Sequence, residues 1–90
     1  MNLVEFADMV MQDIDIKYYN NQEGRYCCIF HCGEISEGIA LHSTFGNGNT
    51  PIKAMNNYSK AISGKKIIFH AMSDTLRKEY MVPNLEYMKE

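Results

Sequence analysis

Gly46-Asn47-Gly48-Asn49-Thr50-Pro51-Ile52-Lys53-Ala54-Met55 holds the best-marked element boundary in this chain. Thr50 offers a side-chain oxygen to the free N–H groups of a first helical turn, and Pro51 fits the first helical position, where no N–H is needed. Ile52, Met55, Tyr58, Ser59 and Ile62 then recur at three- and four-residue spacing, with Lys53, Asn56, Asn57 and Lys60 on the other side. The spacing predicts an amphipathic helix that opens at Thr50 and is ended by Gly64. Residues 46–49 tolerate positive φ and read as a loop before it.

Working toward the N-terminus, the period changes from helical to two. Ile39, Leu41 and Phe45 alternate with Ala40, His42 and Thr44, which predicts a strand over residues 39–45. Residues 33–38 read as a turn. Residues 25–32 read as a strand with Tyr26, Cys28, Phe30 and Cys32 on one face and Cys27, Ile29 and His31 on the other. Asn20-Asn21-Gln22-Glu23-Gly24 supplies turn chemistry, and Ile16 and Tyr18 alternate with Lys17 and Tyr19 before it. The three strands predict an antiparallel meander. At the start of the chain Leu3, Phe6, Ala7, Val10 and Ile14 form one stripe, and Asn2 and Glu5 have the spacing of a capping box. This predicts a helix within residues 1–15.

Toward the C-terminus, Lys65-Lys66 leads into a β-branched and aromatic run, residues 67–72, expected to join the sheet as a fourth strand. Ser73 or Asp74 can cap a short helix and Pro83 ends any regular element there, but the spacing of residues 73–90 selects no single structure. Tyr80, Val82, Leu85, Tyr87 and Met88 are too apolar for a free tail, so residues 73–90 are expected to fold back on the domain or cover a neighbour. The expected architecture is a single α+β domain over residues 1–90. It is a two-layer sandwich in the order helix, three strands, helix, strand, with a folded C-terminal tail and both helices on one face of an antiparallel sheet. Residues 16–72 form its βββαβ core.

With 90 residues, 46% hydrophobic and 22% charged, the composition is that of a small globular domain and excludes disorder. The apolar runs fall short of the roughly 20 residues a membrane helix needs, and Glu5 and Asp8 stand where a signal peptide carries positive charge. A cytoplasmic protein without membrane contact is expected. The net charge of -2 conceals an asymmetry: residues 1–16 hold Glu5, Asp8, Asp13 and Asp15 with no Lys or Arg, whereas residues 38–73 hold no acid. Such a dipole steers an anionic ligand or docks one copy of the chain on another, and solvated helix faces produce the same pattern.

The cysteines, Cys27, Cys28 and Cys32, lie in one predicted strand where neighbours point to opposite faces, so reduced, largely buried thiols are expected. Cys28 and Cys32 with His42 or His70 invite a zinc reading. No Cys-x-x-Cys or His-x-x-x-His knuckle supports it, and no metal or other cofactor is expected. Asp13, Asp15 and Glu23 read as solvated carboxylates rather than an acid–base pair. Tyr18, Tyr19, Tyr26 and Tyr58 read as core or sheet-face residues, with base stacking as the alternative. No nucleophile with an orienting base can be named, and catalysis is not expected. The candidate binding residues are Gly46, Asn47, Gly48, Asn49 and Thr50, where a helix N-terminus exposes N–H groups suited to phosphate, together with Lys53, Lys65 and Lys66. An ordinary capped strand-to-helix turn is the other reading of the same residues.

The block from residue 25 to residue 72, with Gly-Asn-Gly-Asn-Thr-Pro, the helix carrying Ala54 and Tyr58, and the Ile62-Ser63-Gly64-Lys65 return, resembles the βββαβ core of HicB-type antitoxins and their double-stranded-RNA-binding-domain-like relatives. Residues 46–71, with Ser73-Asp74 and Val82-Pro83, also resemble small proteins encoded by bacteriophages. The charge asymmetry and the apolar tail around Tyr80, Leu85 and Tyr87 lead to the expectation of a homo-oligomer, and the lack of recognisable catalytic chemistry to that of a non-catalytic binder. Its expected role is a phage anti-defence inhibitor that binds a nucleotide immune signal or a host immune or CRISPR protein. The alternative those resemblances imply is a nucleic-acid-binding, antitoxin-type regulator. The relatives' lysine cluster at their last helix is reduced here to Lys53 and Lys60, and their RNA binding is not implied with it.

Overall fold

The computed structural model describes residues 1–20 and 25–90. In chain order the elements are α1 (Leu3–Val10), β1 (Ile14–Tyr19), β2 (Arg25–Phe30), β3 (Gly33–Glu37), β4 (Ala40–His42), β5 (Gly46–Gly48), α2 (Pro51–Ile62), β6 (Lys66–Phe69) and β7 (Lys78–Met81). The α+β class and the antiparallel pairing expected from the sequence are both present. The strands form two sheets, ordered β1-β2-β5 and β4-β3-β6-β7.

Both helices begin where the caps place them. Asn2 accepts from the Glu5 amide while the Glu5 carboxylate accepts from the Asn2 amide, each at 2.9 Å, a complete capping box. Thr50 Oγ1 accepts the Lys53 amide at 3.1 Å, with Pro51 in the first turn. The first helix is shorter than residues 1–15, because Met11 turns left-handed at φ 57 and releases the chain so that Ile14 starts β1.

The strands differ from the prediction at five places along the chain. The strand expected over residues 25–32 stops at Phe30, since Cys32 is left-handed at φ 56 and the chain leaves the first sheet there. Gly33 makes the corner passable: a Cβ on it would lie 2.9 Å from the Phe30 Cβ. Residues 33–38, expected as a turn, instead supply β3, which pairs with β6 in the second sheet. The strand expected over residues 39–45 is only the short edge strand β4, and the loop expected at residues 46–49 begins with β5, which returns to pair with β2. The fourth predicted strand ends at Phe69, where His70 is left-handed at φ 52. The turn expected at residues 20–24 lies outside the described residues apart from Asn20.

The core gathers around Phe30. Phe6 from α1, Tyr58 from α2 and Phe69 from β6 stand at 6.0, 5.9 and 5.1 Å from its ring, each edge-to-face. Both helices therefore meet the same face of the first sheet, and Phe69 joins the second sheet to it. Leu3, Ile35, Ile62 and Ile67 complete this interior.

The tail folds back, as expected, and its regular element, which the sequence leaves open, is a strand and not a short helix capped by Ser73 or Asp74. Ser73 Oγ accepts from the Thr75 and Leu76 amides in a local turn, and β7 then pairs with β6. Val82 and Leu85 are buried, and the Asn56 side chain exchanges two 2.8 Å hydrogen bonds with the Met88 backbone. In this way α2 holds an extended segment through a side chain that stands in for a strand partner.

Candidate functional site

The residues expected to bind an anion divide into two groups along α2. Asn49, Thr50 and Lys53 lie at its start, Gly48, Asn47 and Gly46 run along it as far as Asn57 and Tyr58, and Lys65 and Lys66 follow its end. Twelve helical residues separate Thr50 from the two lysines by roughly 18 Å. A single phosphate cannot bridge that distance.

Glycine has a different use at positions 46 and 48 from the one its loop reading assumed. Among the described glycines only Gly38 and Gly64 take positive φ. Gly46 and Gly48 are extended and lie against α2: a Cβ at Gly46 would strike the Ala54 carbonyl and the Tyr58 amide, and one at Gly48 would lie 2.6 Å from the Ala54 nitrogen. Missing side chains let a helix pack on strand backbone. At the helix N-terminus the chain supplies its own anion, since Thr50 Oγ1 donates to Glu90 Oε1 at 2.9 Å. The two lysines are also engaged: Lys65 Nζ lies 2.8 Å from Glu37 and Lys66 Nζ 3.6 Å from Glu79. Hydrogen bonds from Lys65 and then His42 hold the Glu37 carboxyl below its ordinary range, and Arg77 does the same for Glu79.

Of the expected residues, Asn47 alone lines a groove that other residues build. The groove holds about 460 Å³ on the outer face of the first sheet and is lined by Tyr19, Arg25, Cys27, Ile29, Phe45 and Asn47. Strand alternation produces it. Cys28 and Phe30 of β2 point to the core, so Arg25, Cys27 and Ile29 point outward. The register sets Tyr19 beside Arg25, and sets Cys27 between Lys17 on β1 and Asn47 on β5. Because Gly46 and Gly48 face α2, the intervening Asn47 faces the groove.

The groove combines two exposed aromatic rings, a cation and an amide over an apolar floor. Tyr19 is 41% and Phe45 53% exposed. Burial pushes the Cys27 thiol up from 9.0, against the opposing pull of Lys17, so the floor stays uncharged at neutral pH. Arg25 and Lys17 form no ion pair with the described residues, unlike Lys65 and Lys66. These groups can stack on a flat ring and hold an anion at its edge.

Sequence reading named Tyr19 as a stacking candidate but assigned no role to Arg25, Ile29 or Phe45. The available signal was the second face of residues 25–32, and only the helix positions decide which face is covered. The cysteine and histidine candidates do not converge, and of the three thiols expected to be largely buried only Cys28 is, on the core face of β2; Cys27 is half-buried on the outer face and Cys32 is exposed where the chain leaves the strand. Among the described residues no group of three His, Cys, Asp or Glu side chains is placed to hold a metal ion. Asp15 instead pairs with His31 at 3.2 Å, and Glu23 lies outside the described residues. No described helix is long and apolar enough to cross a membrane. Comparison with protein-family models, curated proteins and solved structures finds no match to this chain.

Proposed function

We propose that this domain is a non-catalytic binder that holds a nucleotide on the open face of the β1-β2-β5 sheet. The observation that carries the reading is the placement of Tyr19 and Phe45 in one groove with Arg25. An aromatic base stacks on the rings, the guanidinium meets the phosphate, and the Asn47 amide offers a donor and an acceptor to the base edge. The net charge of -2 favours one small anion over a long nucleic acid, which needs an extended basic surface. In the setting implied by the resemblance to phage proteins, the domain acts stoichiometrically in the host cytoplasm and removes a nucleotide immune signal. A HicB-like regulator that stacks an unpaired base uses the same groove.

Calorimetry against cyclic dinucleotides, ADP-ribose, a single-stranded oligonucleotide and an RNA duplex tests the reading. Binding of one of the first two is expected, with Tyr19→Ala or Phe45→Ala weakening it by roughly 10-fold, the worth of about one stacked base. Arg25→Glu is expected to abolish it, and Lys65→Glu to leave it unchanged. Preference for the single strand selects the regulator. If no ligand binds, or if the groove variants bind as the parent does, the nucleotide reading is wrong and a host defence protein becomes the partner to seek.

A further inference from the structure

The two edges of the four-stranded sheet are built differently. β7, at one edge, carries Lys78 and Glu79, with Arg77 just before it and its guanidinium on Glu79 at 3.0 Å. Charges of this kind are the usual guard against edge-to-edge pairing. β4, at the other edge, has no such guard: residues 38–52 contain no Asp, Glu, Lys or Arg, the first proline after it is Pro51, and its one titratable side chain, His42, turns back to Glu37 of β3 at 3.3 Å. All of Ala40–His42 is exposed. Ile39, Leu41 and Phe45, the alternate positions that the sequence marked as one apolar strand face, are 108, 41 and 53% exposed.

The hairpin also decides which backbone groups are open. Glu37 and Ala40 close a two-residue turn at Gly38-Ile39, so the N–H and C=O of Ala40 point to β3. Alternation along an antiparallel ladder then turns those of Leu41 away from β3, toward the open edge. An edge strand with an outward donor and acceptor at its centre is a template for another strand.

We propose that β4 pairs antiparallel with β4 of a second copy of this chain, about a two-fold axis at Leu41, joining two four-stranded sheets into one of eight strands. The absence of charge argues for a second copy. A charged partner strand would set its charges against the apolar Ile39 and Leu41, whereas two copies of residues 38–45, which hold no Asp, Glu, Lys or Arg, meet on apolar side chains with Glu37 already held by Lys65 and His42 of its own copy. Centred on Leu41, the pairing sets Ala40 opposite His42, Ile39 opposite Ser43, and Glu37 opposite the uncharged Phe45. Each Leu41 exchanges both backbone hydrogen bonds with its counterpart, and the interface is isologous and closes at two. This inference does not depend on the nucleotide groove.

Native mass spectrometry and light scattering at micromolar concentration test it, on the parent protein and on Leu41→Lys, Ile39→Lys and Met81→Lys. The parent is expected to be a dimer. Leu41→Lys and Ile39→Lys each add a guard to the open edge and are expected to give folded monomers by circular dichroism, while Met81→Lys, on the guarded edge, stays dimeric. Ile39 is fully exposed, so its variant keeps the test valid if Leu41→Lys misfolds. A monomeric parent, a dimer that survives Ile39→Lys, or a dimer lost equally in Met81→Lys overturns the proposal.

Discussion

The Tyr58 hydroxyl oxygen accepts the backbone N–H of Phe30 at 3.1 Å, linking α2 to the end of β2. The β2–β5 ladder ends at the Cys28–Gly46 pair, so Phe30 lies beyond the reach of β5 and the phenol serves as its acceptor. Both residues are buried, and water cannot replace that oxygen. Tyr58→Phe keeps the ring and its edge-to-face contact while orphaning one buried N–H. The expected cost is about 1–3 kcal/mol, read from urea melts with an unchanged slope.

Burial also holds two protons on the core. Desolvation pushes the Tyr58 phenol from 10.0 up to about 12, and the Cys28 thiol, raised further by Cys27 and Asp15, from 9.0 up to about 12. In the unfolded chain both groups release their protons at lower pH than in the fold, so the unfolded state binds fewer protons there and stability falls with rising pH. The loss is expected to begin near pH 9 and continue to about pH 12. Thermal melts across that window check it, and Cys28→Ala and Tyr58→Phe should each flatten the decline.

Thiol titration follows the same burial. Cys32 is exposed, Cys27 half-buried and Cys28 buried. Ellman's reagent on the native protein is expected to modify Cys32 first and Cys27 more slowly, with Cys28 reacting only after denaturant is added. Modification of Cys28 at the rate of Cys32 in native protein would contradict its place in the core.

Thr50 both caps α2 and donates to Glu90. Thr50→Ala is expected to cost about 1 kcal/mol or somewhat more, the usual worth of a lost cap. Glu90→Gln keeps an acceptor oxygen but removes a charge favoured at a helix N-terminus, and should cost a few tenths of a kcal/mol. A double-mutant cycle in denaturant separates the cap from the latch. Additive effects would mean that the carboxylate and the hydroxyl do not interact.

Two glycines give opposite controls. Gly46→Ala presses a methyl group into the α2 backbone and is expected to cost about 3 kcal/mol or more, or to prevent folding. Gly38→Ala meets no atom within 4 Å but must keep φ near +61, which costs about 1–2 kcal/mol. Equal effects at the two positions would show that close helix packing is not what position 46 requires.

Elements with local causes were legible in the chain. The capping box of Asn2 and Glu5, the Thr50-Pro51 start of α2 and its inward face of Met55, Tyr58 and Ile62 depend on neighbours within about four residues. The end of α2 at Gly64 and the apolar pull of Val82 and Leu85 on the tail were legible for the same reason. Only the tertiary structure decided that Cys32 turns the chain into a second sheet, that Gly46 and Gly48 form a strand under a helix, and that Lys65 and Lys66 face acids on β3 and β7. Those outcomes come from contacts between residues far apart in the chain, which strand periodicity does not encode. The outward face of β2 is the decisive case: Cys28 with Phe30, and Cys27 with Ile29, are both apolar enough for a core, and packing by Phe6 and Tyr58 on Phe30 leaves the Cys27 and Ile29 face as the open groove.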